Sequence, residues 1–176
     1  MGLTPHPEDL QPITGPEEQL VLKLKTLLGD RFVADQMFRG QLSVWVEPGA
    51  IPDTLRFLRT DPDFLYEFLT DITAVDRLNH LLKGEPRFEV VYILFSPTFN
   101  RRVFVKTRTH EDTPVPTATT VWRGANFMER EVFDMFGVTF SGHPNLERLL
   151  TPEGWLGHPL RKDFPTQSAQ FPNVEN

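Results

Sequence analysis

Cysteine is absent from all 176 residues, and that absence removes a good deal of chemistry. Iron–sulfur clusters are normally held by cysteine thiolates, so this chain is not expected to ligate one. Disulfides and a thiol nucleophile are excluded outright, and redox compartment cannot be read from cysteine usage. Long apolar runs are missing too. The longest, Val90 to Phe95, has six residues, whereas a membrane-spanning helix needs about 20. No basic stretch followed by an apolar one opens the chain, so no secretory signal is expected and the cytoplasm is favoured. Positive charge is also in short supply. Net charge is −6, and Trp122 to Pro165 holds five Lys/Arg against six Asp/Glu. Without a basic stripe, nucleic acid is not an expected partner. A glycine-rich nucleotide loop is likewise missing.

What is present suits one globular domain: 39% hydrophobic and 24% charged residues in a chain too short for two comfortable cores. Up to Leu22 there are four acids, Glu8, Asp9, Glu17 and Glu18, and no Lys or Arg. With Pro5 to Pro16, this predicts an acidic, flexible leader over 1–16, a domain over 17–165 and a C-terminal tail over 166–176. The tail has few large apolar residues beyond Phe171 and Val174.

Leu20, Val21, Leu24, Leu27 and Leu28 recur at helical spacing, and Gly29 offers a stop. A strand is expected over Leu42 to Glu47, then a short helix over Ile51 to Arg59 with Pro52 in its first turn and Leu55 and Leu58 inward. Phe64 to Val75 is ambiguous at its start and alternates like a strand from Phe68 onward. The clearest β pattern runs from Arg87 to Thr109, with a turn at Ser96 to Asn100. Val90, Tyr92 and Leu94 lie on one face, and Val91, Ile93 and Phe95 lie on the other. Such a strand is expected to be central, with helices packed on both faces. The expected fold is α+β: a single domain whose small, mainly antiparallel sheet is packed by helices, with extended N- and C-terminal arms.

Asn126 to Phe136 is the best-defined helix. Asn126 is a suitable N-cap, Glu129 three residues on completes a capping box, and Gly137 suits the C-terminus. On a helical wheel only Arg130 and Asp134 share an unbroken polar side, which predicts an i,i+4 surface pair. Glu129 and Glu131 fall among apolar residues, so the helix is expected to be almost wholly buried and both acids to need partners.

Glu129-Arg130-Glu131-Val132-Phe133-Asp134-Met135-Phe136-Gly137, followed by Phe140-Ser141-Gly142-His143-Pro144, resembles the signature of the thirty-kilodalton, or C, subunit family of respiratory complex I, the NADH-quinone oxidoreductase. The resemblance continues through Arg148-Leu149-Leu150-Thr151-Pro152-Glu153 and Gly157-His158-Pro159-Leu160-Arg161-Lys162-Asp163-Phe164-Pro165. Upstream it takes in Trp122 to Phe127 and Asp71 to Asp76, so it spans Asp71 to Pro165. Glu147 departs from it, at a position where the family usually has a basic residue, and Arg148 follows immediately.

The resemblance implies a non-catalytic peripheral-arm subunit of a proton-translocating NADH:quinone oxidoreductase, without flavin, iron–sulfur cluster or nicotinamide site of its own. FMN and iron–sulfur clusters are expected in partner subunits, which carry electrons from NADH to quinone. The expected neighbours are the terminal-cluster subunit and the quinone-cavity subunit. Contact with the membrane is expected only through the complex, at the cytoplasmic face of the inner membrane. Glu129, Arg130, Glu131, Asp134, His143, Arg148, His158, Arg161, Lys162 and Asp163 are the signature residues, expected at subunit interfaces.

Two other functions compete with this one. A related complex with another electron donor (plastoquinone-linked, ferredoxin-linked or a membrane-bound hydrogenase) would use an equivalent subunit. A stand-alone hydrolase would use Glu129 or Glu131 with a histidine. Those two glutamates diverge by roughly 200° on a helix, so they cannot face one substrate. His143 and His158 each sit in Gly-His-Pro, but no ligand-spaced cluster accompanies them. A fixed turn that hydrogen-bonds each ring is the expected explanation. Gly157 to Pro165 is read as an extended docking strip.

Overall fold

The computed structural model describes residues 10–165. The first nine residues of the expected leader and the whole 166–176 tail lie outside them. The leader's remainder is in contact with the domain: β1 (Leu10–Gln11) pairs with a later strand, and Pro16 opens α1 (Pro16–Leu28). Glu17 and Glu18 sit in the first turn of α1, where carboxylates favour the helix dipole. Leu20, Val21, Leu24 and Leu28 are buried as the spacing predicts. Leu27 is 45% exposed, because it falls at the edge of the apolar stripe.

Next come β2 (Phe32–Phe38) and β3 (Gln41–Val46), then α2 (Ile51–Thr60), with Leu55 and Leu58 buried. β4 (Phe68–Asp76), β5 (Phe88–Ser96) and β6 (Arg101–Thr109) follow as an antiparallel meander. The short β7 (Val115–Pro116) precedes α3 (Ala125–Phe136), and β8 (Phe140–Ser141) pairs with β7 in parallel. No helix among the described residues is long and apolar enough to cross a membrane.

The six-stranded sheet has the order β1-β2-β3-β6-β5-β4. After β3 the chain crosses by α2 to the far edge, and the meander then returns β6 alongside β3 in parallel. The β2–β3 hairpin is not expected from the sequence. Its turn is Arg39-Gly40, both at positive φ, the geometry that a two-residue hairpin favours. At Arg39 nothing in the sequence signals that conformation.

Among the described residues, helices pack on one face of the sheet, not on both. Val90, Tyr92, Leu94, Val103 and Val105 join the buried residues of α1, α2 and α3 in one core cluster. On the reverse face Ile93, Phe95 and Phe104 are only half-buried and lie outside that cluster. Replacing fully buried Leu24 with Ala should therefore cost about 2–5 kcal/mol of folding stability. Leu27→Ala should stay within about 1 kcal/mol, as urea midpoints of the purified chain would show.

Candidate functional site

α3 begins at Ala125 and has Gly124 as its N-cap, with no side-chain cap. The turn before it supplies the early hydrogen bonds, Ala125 N to Trp122 O at 3.1 Å and Asn126 N to Arg123 O at 3.3 Å. Asn126 is thus inside the helix, and the expected capping box does not form. Glu129 turns instead into the core with no exposed surface. It accepts hydrogen bonds from Thr117 Oγ1 and the Ala118 amide, both at 2.6 Å. Burial pushes its carboxyl up to about 7, even though those two bonds pull the other way.

Asp134 is also buried, which corrects its assignment to the polar surface. Glu131 is exposed, so the two acids have exchanged environments relative to expectation. The reason is the chain that follows α3. Residues 140–165 fold back as a strap over the helix, and the strap covers what would otherwise be its polar side. Asp134 Oδ2 accepts from the amides of Leu149, Leu150 and Thr151 at 3.0, 2.7 and 2.9 Å. Oδ1 accepts from Thr151 Oγ1 at 2.5 Å and Arg148 at 2.9 Å. Burial alone would raise this carboxyl, but the Thr151 hydroxyl and the three amides hold it far below the usual carboxylate range.

The remaining signature residues tie the strap to the helix end. Arg130 donates to the carbonyls of Glu147 and Arg148, each at 3.0 Å, rather than pairing with Asp134. Exposed Glu147 contributes that carbonyl and accepts from Asn145. His158 Nδ1 bonds the Asp134 carbonyl at 2.9 Å, Leu160 N bonds Met135 O at 3.0 Å, and Arg161 Nε bonds Phe136 O at 2.6 Å. These donors occupy three consecutive carbonyls of the last helical turn, which a helix cannot satisfy internally. Gly137 at φ 77° lets the chain leave α3 directly beneath them. A Cβ there would lie 2.6 Å from the His158 ring and against the Arg161 guanidinium.

His143 ties the strap to the other end of the helix. Its Nδ1 accepts from Asn145 N, so its proton sits on Nε2 and is donated to the Asn126 carbonyl at 3.2 Å. Nε2 lies 3.8 Å from Glu129 Oε2. Both Gly-His-Pro rings therefore hydrogen-bond to α3. Among the described residues, no three His, Asp or Glu side chains form a metal-binding group.

A second lock joins the signature residues Arg161, Lys162 and Asp163 to Asp76, Arg87 and Glu111, three residues that sequence reasoning does not single out as sites. Arg87 bonds Asp76 through two nitrogens at 3.0 and 2.7 Å, Asp163 at 2.6 Å, and Glu111. Lys162 N donates to Asp76 Oδ2 at 2.9 Å, and Arg161 reaches Glu111 at 3.2 Å. The Lys162 residue is otherwise exposed. The hint in the sequence is an acid closing one apolar strand and an arginine opening the next.

The signature charges thus brace a strap. Glu129 is sealed in the core, and a hydrolase based on it would lack an accessible base. While the charges turn inward, Leu149, Leu150, Leu156 and Leu160 turn out to solvent, Leu156 with 75% of its surface exposed.

Two outcomes are expected. Glu129 has a higher pKa folded than unfolded, so its stabilising contribution is complete below about 4.5 and is lost as pH rises through about 7. Over that window the folded state should lose on the order of 3 kcal/mol, and Glu129→Gln should flatten the slope in pH-resolved urea titrations. Separately, Gly137→Ala should release the strap while the sheet stays folded. Limited proteolysis should then cut within residues 148–163 well before the rest of the chain.

The model of the family described as respiratory-chain NADH dehydrogenase, 30 Kd subunit, matches residues 44–170. The C subunit of NADH-quinone oxidoreductase from Roseiflexus sp. (strain RS-1) is 51% identical over 144 residues, covering 81% of this chain and 80% of that one. Its counterpart in Roseiflexus castenholzii is 49% identical over 147 residues, covering 83% and 82%. Among solved structures, the trypsin-resistant fragment (1-134) of Nqo5 matches with a TM-score of 0.61 and 31% identity, over 75% of this chain and all of that one. A chain of the membrane-bound sulfane sulfur reductase, an archaeal respiratory membrane complex, matches with a TM-score of 0.62 and 26% identity, over 86% and 87%.

Proposed function

The chain belongs to the respiratory-chain NADH dehydrogenase 30 Kd subunit family, and on that premise we propose that it is a non-catalytic peripheral-arm subunit of a proton-translocating NADH:quinone oxidoreductase. In this reading electrons pass from NADH through FMN and iron–sulfur centres of other subunits to quinone, and this chain carries none of those groups. Its neighbours are the subunits bearing the terminal cluster and the quinone cavity. It meets the membrane only through the complex, at the cytoplasmic face of the inner membrane.

The observation that carries this reading is the row of exposed leucines on a pinned backbone. Leu149, Leu150, Leu156 and Leu160 face solvent from a strap held at Asp134 and at Arg87. Apolar side chains on an ordered segment are the substance of a covered interface. The likeness to a chain of the sulfane sulfur reductase favours one second reading, the equivalent subunit of a related complex with another electron donor. Donor choice would then reside in other subunits, and the strap would dock in the same way.

A tagged chain purified from its native membranes should bring down the cluster-bearing and quinone-site subunits, and its recovery alone would overturn the reading. Leu156→Asp combined with Leu160→Asp should reduce the amount of assembled complex several-fold, on the order expected for loss of apolar interface anchors. Turnover per assembled complex should remain unchanged. Normal assembly with lost turnover would instead point to a catalytic role.

A further inference from the structure

Among the described residues no helix covers the reverse face of the sheet, and the side chains on that face follow from the strand register. Residues directly opposite across a strand pair share a face. Phe68 opposes Phe95, Phe104 opposes Ile93, and Lys106 lies between Val91 and Trp45. These six apolar side chains form one field, with Val91 buried, Trp45, Ile93, Phe95 and Phe104 half-buried, and Phe68 58% exposed at its edge. None of them belongs to the core cluster, and none packs against it.

Along β6 the same face carries Arg102, Phe104, Lys106 and Arg108. Glu89 answers part of that charge, at 3.0 Å from Arg108 and 3.9 Å from Lys106, and it also accepts from Trp45 Nε1. Asp71 lies at the β4 side, opposite Ile93. Three cations against two acids leave a positive line through the middle of the face, on a chain whose net charge is −6.

We propose that this face docks an amphipathic α-helix of another subunit of the same complex, laid along β6 with acidic side chains over Arg102, Lys106 and Arg108. The inference rests on the reading of the chain as a complex subunit. A helix fits because the inner strands β3, β6 and β5 already pair on both edges, so an arriving segment finds no backbone partners there. A loop laid flat would bury its own amides and carbonyls unpaired, whereas a helix brings them satisfied. The acids follow from the cations, since closing an apolar surface over unanswered charge is costly. Arg102 to Arg108 spans about 20 Å of strand, or about 13 residues of helix. The matching carboxylates should therefore be spread over three to four turns.

The test uses the complex purified from native membranes, with a photo-reactive phenylalanine analogue in place of Phe104 or, separately, Leu156. Mass spectrometry then maps the cross-linked peptides. The Phe104 probe should join a helical, acid-bearing segment of another subunit. Arg102→Glu with Lys106→Glu should cut that yield about fivefold, and Arg102→Lys should preserve it. If the Leu156 probe reacts with a subunit while the Phe104 probe gives no protein adduct, the proposal fails and the strap's docking role stands. A Phe104 adduct with a second copy of this chain, or with a basic or non-helical segment, also overturns it. If neither probe reacts and the chain purifies alone, the subunit reading itself fails.

Discussion

Asp134 sits on α3 with no exposed surface, and a carboxylate so placed must either take up a proton or collect donors. It collects five: three consecutive backbone amides, one hydroxyl and one guanidinium. Three consecutive amides can converge on a single oxygen only if residues 149–151 curl around it. The shape of the strap is therefore set by the needs of one side chain. Everything after α3 inherits that geometry, including Arg148, which reaches from Asp134 to the Gly157 carbonyl at 3.0 Å. Once the strap has closed there, His158, Leu160 and Arg161 arrive in register with the open carbonyls of the helix end.

Glu129, five residues earlier on the same helix, shows what happens with fewer donors. It receives two hydrogen bonds from neutral groups, and the His143 ring lies 3.8 Å away. Two bonds do not offset the loss of hydration, so its carboxyl is raised where that of Asp134 is depressed. The contrast assigns different work to the two acids. Asp134 holds the strap through charge-assisted bonds that persist at neutral pH, whereas Glu129 fastens α3 to the Thr117–Ala118 segment through bonds whose strength depends on its proton.

The elements with strong local patterns are legible in the sequence. The stripe of α1, the Pro52 start of α2 and the alternation of β5 and β6 each depend on neighbours a few residues away. The β2–β3 hairpin is not legible, because its turn places Arg39 at positive φ. The acids on α3 mislead for a related reason. A helical wheel ranks faces by composition, so it puts Asp134 outside and Glu131 inside. The strap buries Asp134 by bringing Thr151 and Arg148 from 17 and 14 residues away onto that face, while Glu131 is exposed. Two-sided cover of β5 fails likewise. Apolar residues on both faces show that both are suited to burial, and they do not say that this chain supplies the cover.

The charged residues that make the strap recognisable in sequence are consumed in fixing it to its own domain, which changes the physical meaning of the motif. Arg161 and Asp163 answer Phe136, Glu111 and Arg87 within the chain, and a charge already answered contributes little new attraction to a partner. In the proposed complex, docking through the strap would draw its energy from the leucines, while the charges act beforehand by holding those leucines in place. A segment that is ordered before it binds surrenders less conformational freedom on binding. Modest apolar area can therefore suffice, and a conservative loss such as Arg161→Lys would weaken assembly without touching the contact itself. On the reverse sheet face the order is inverted, with rigid strands that need no brace and cations that still lack full answers. Charge there can select a partner, and on the strap it prepares the surface.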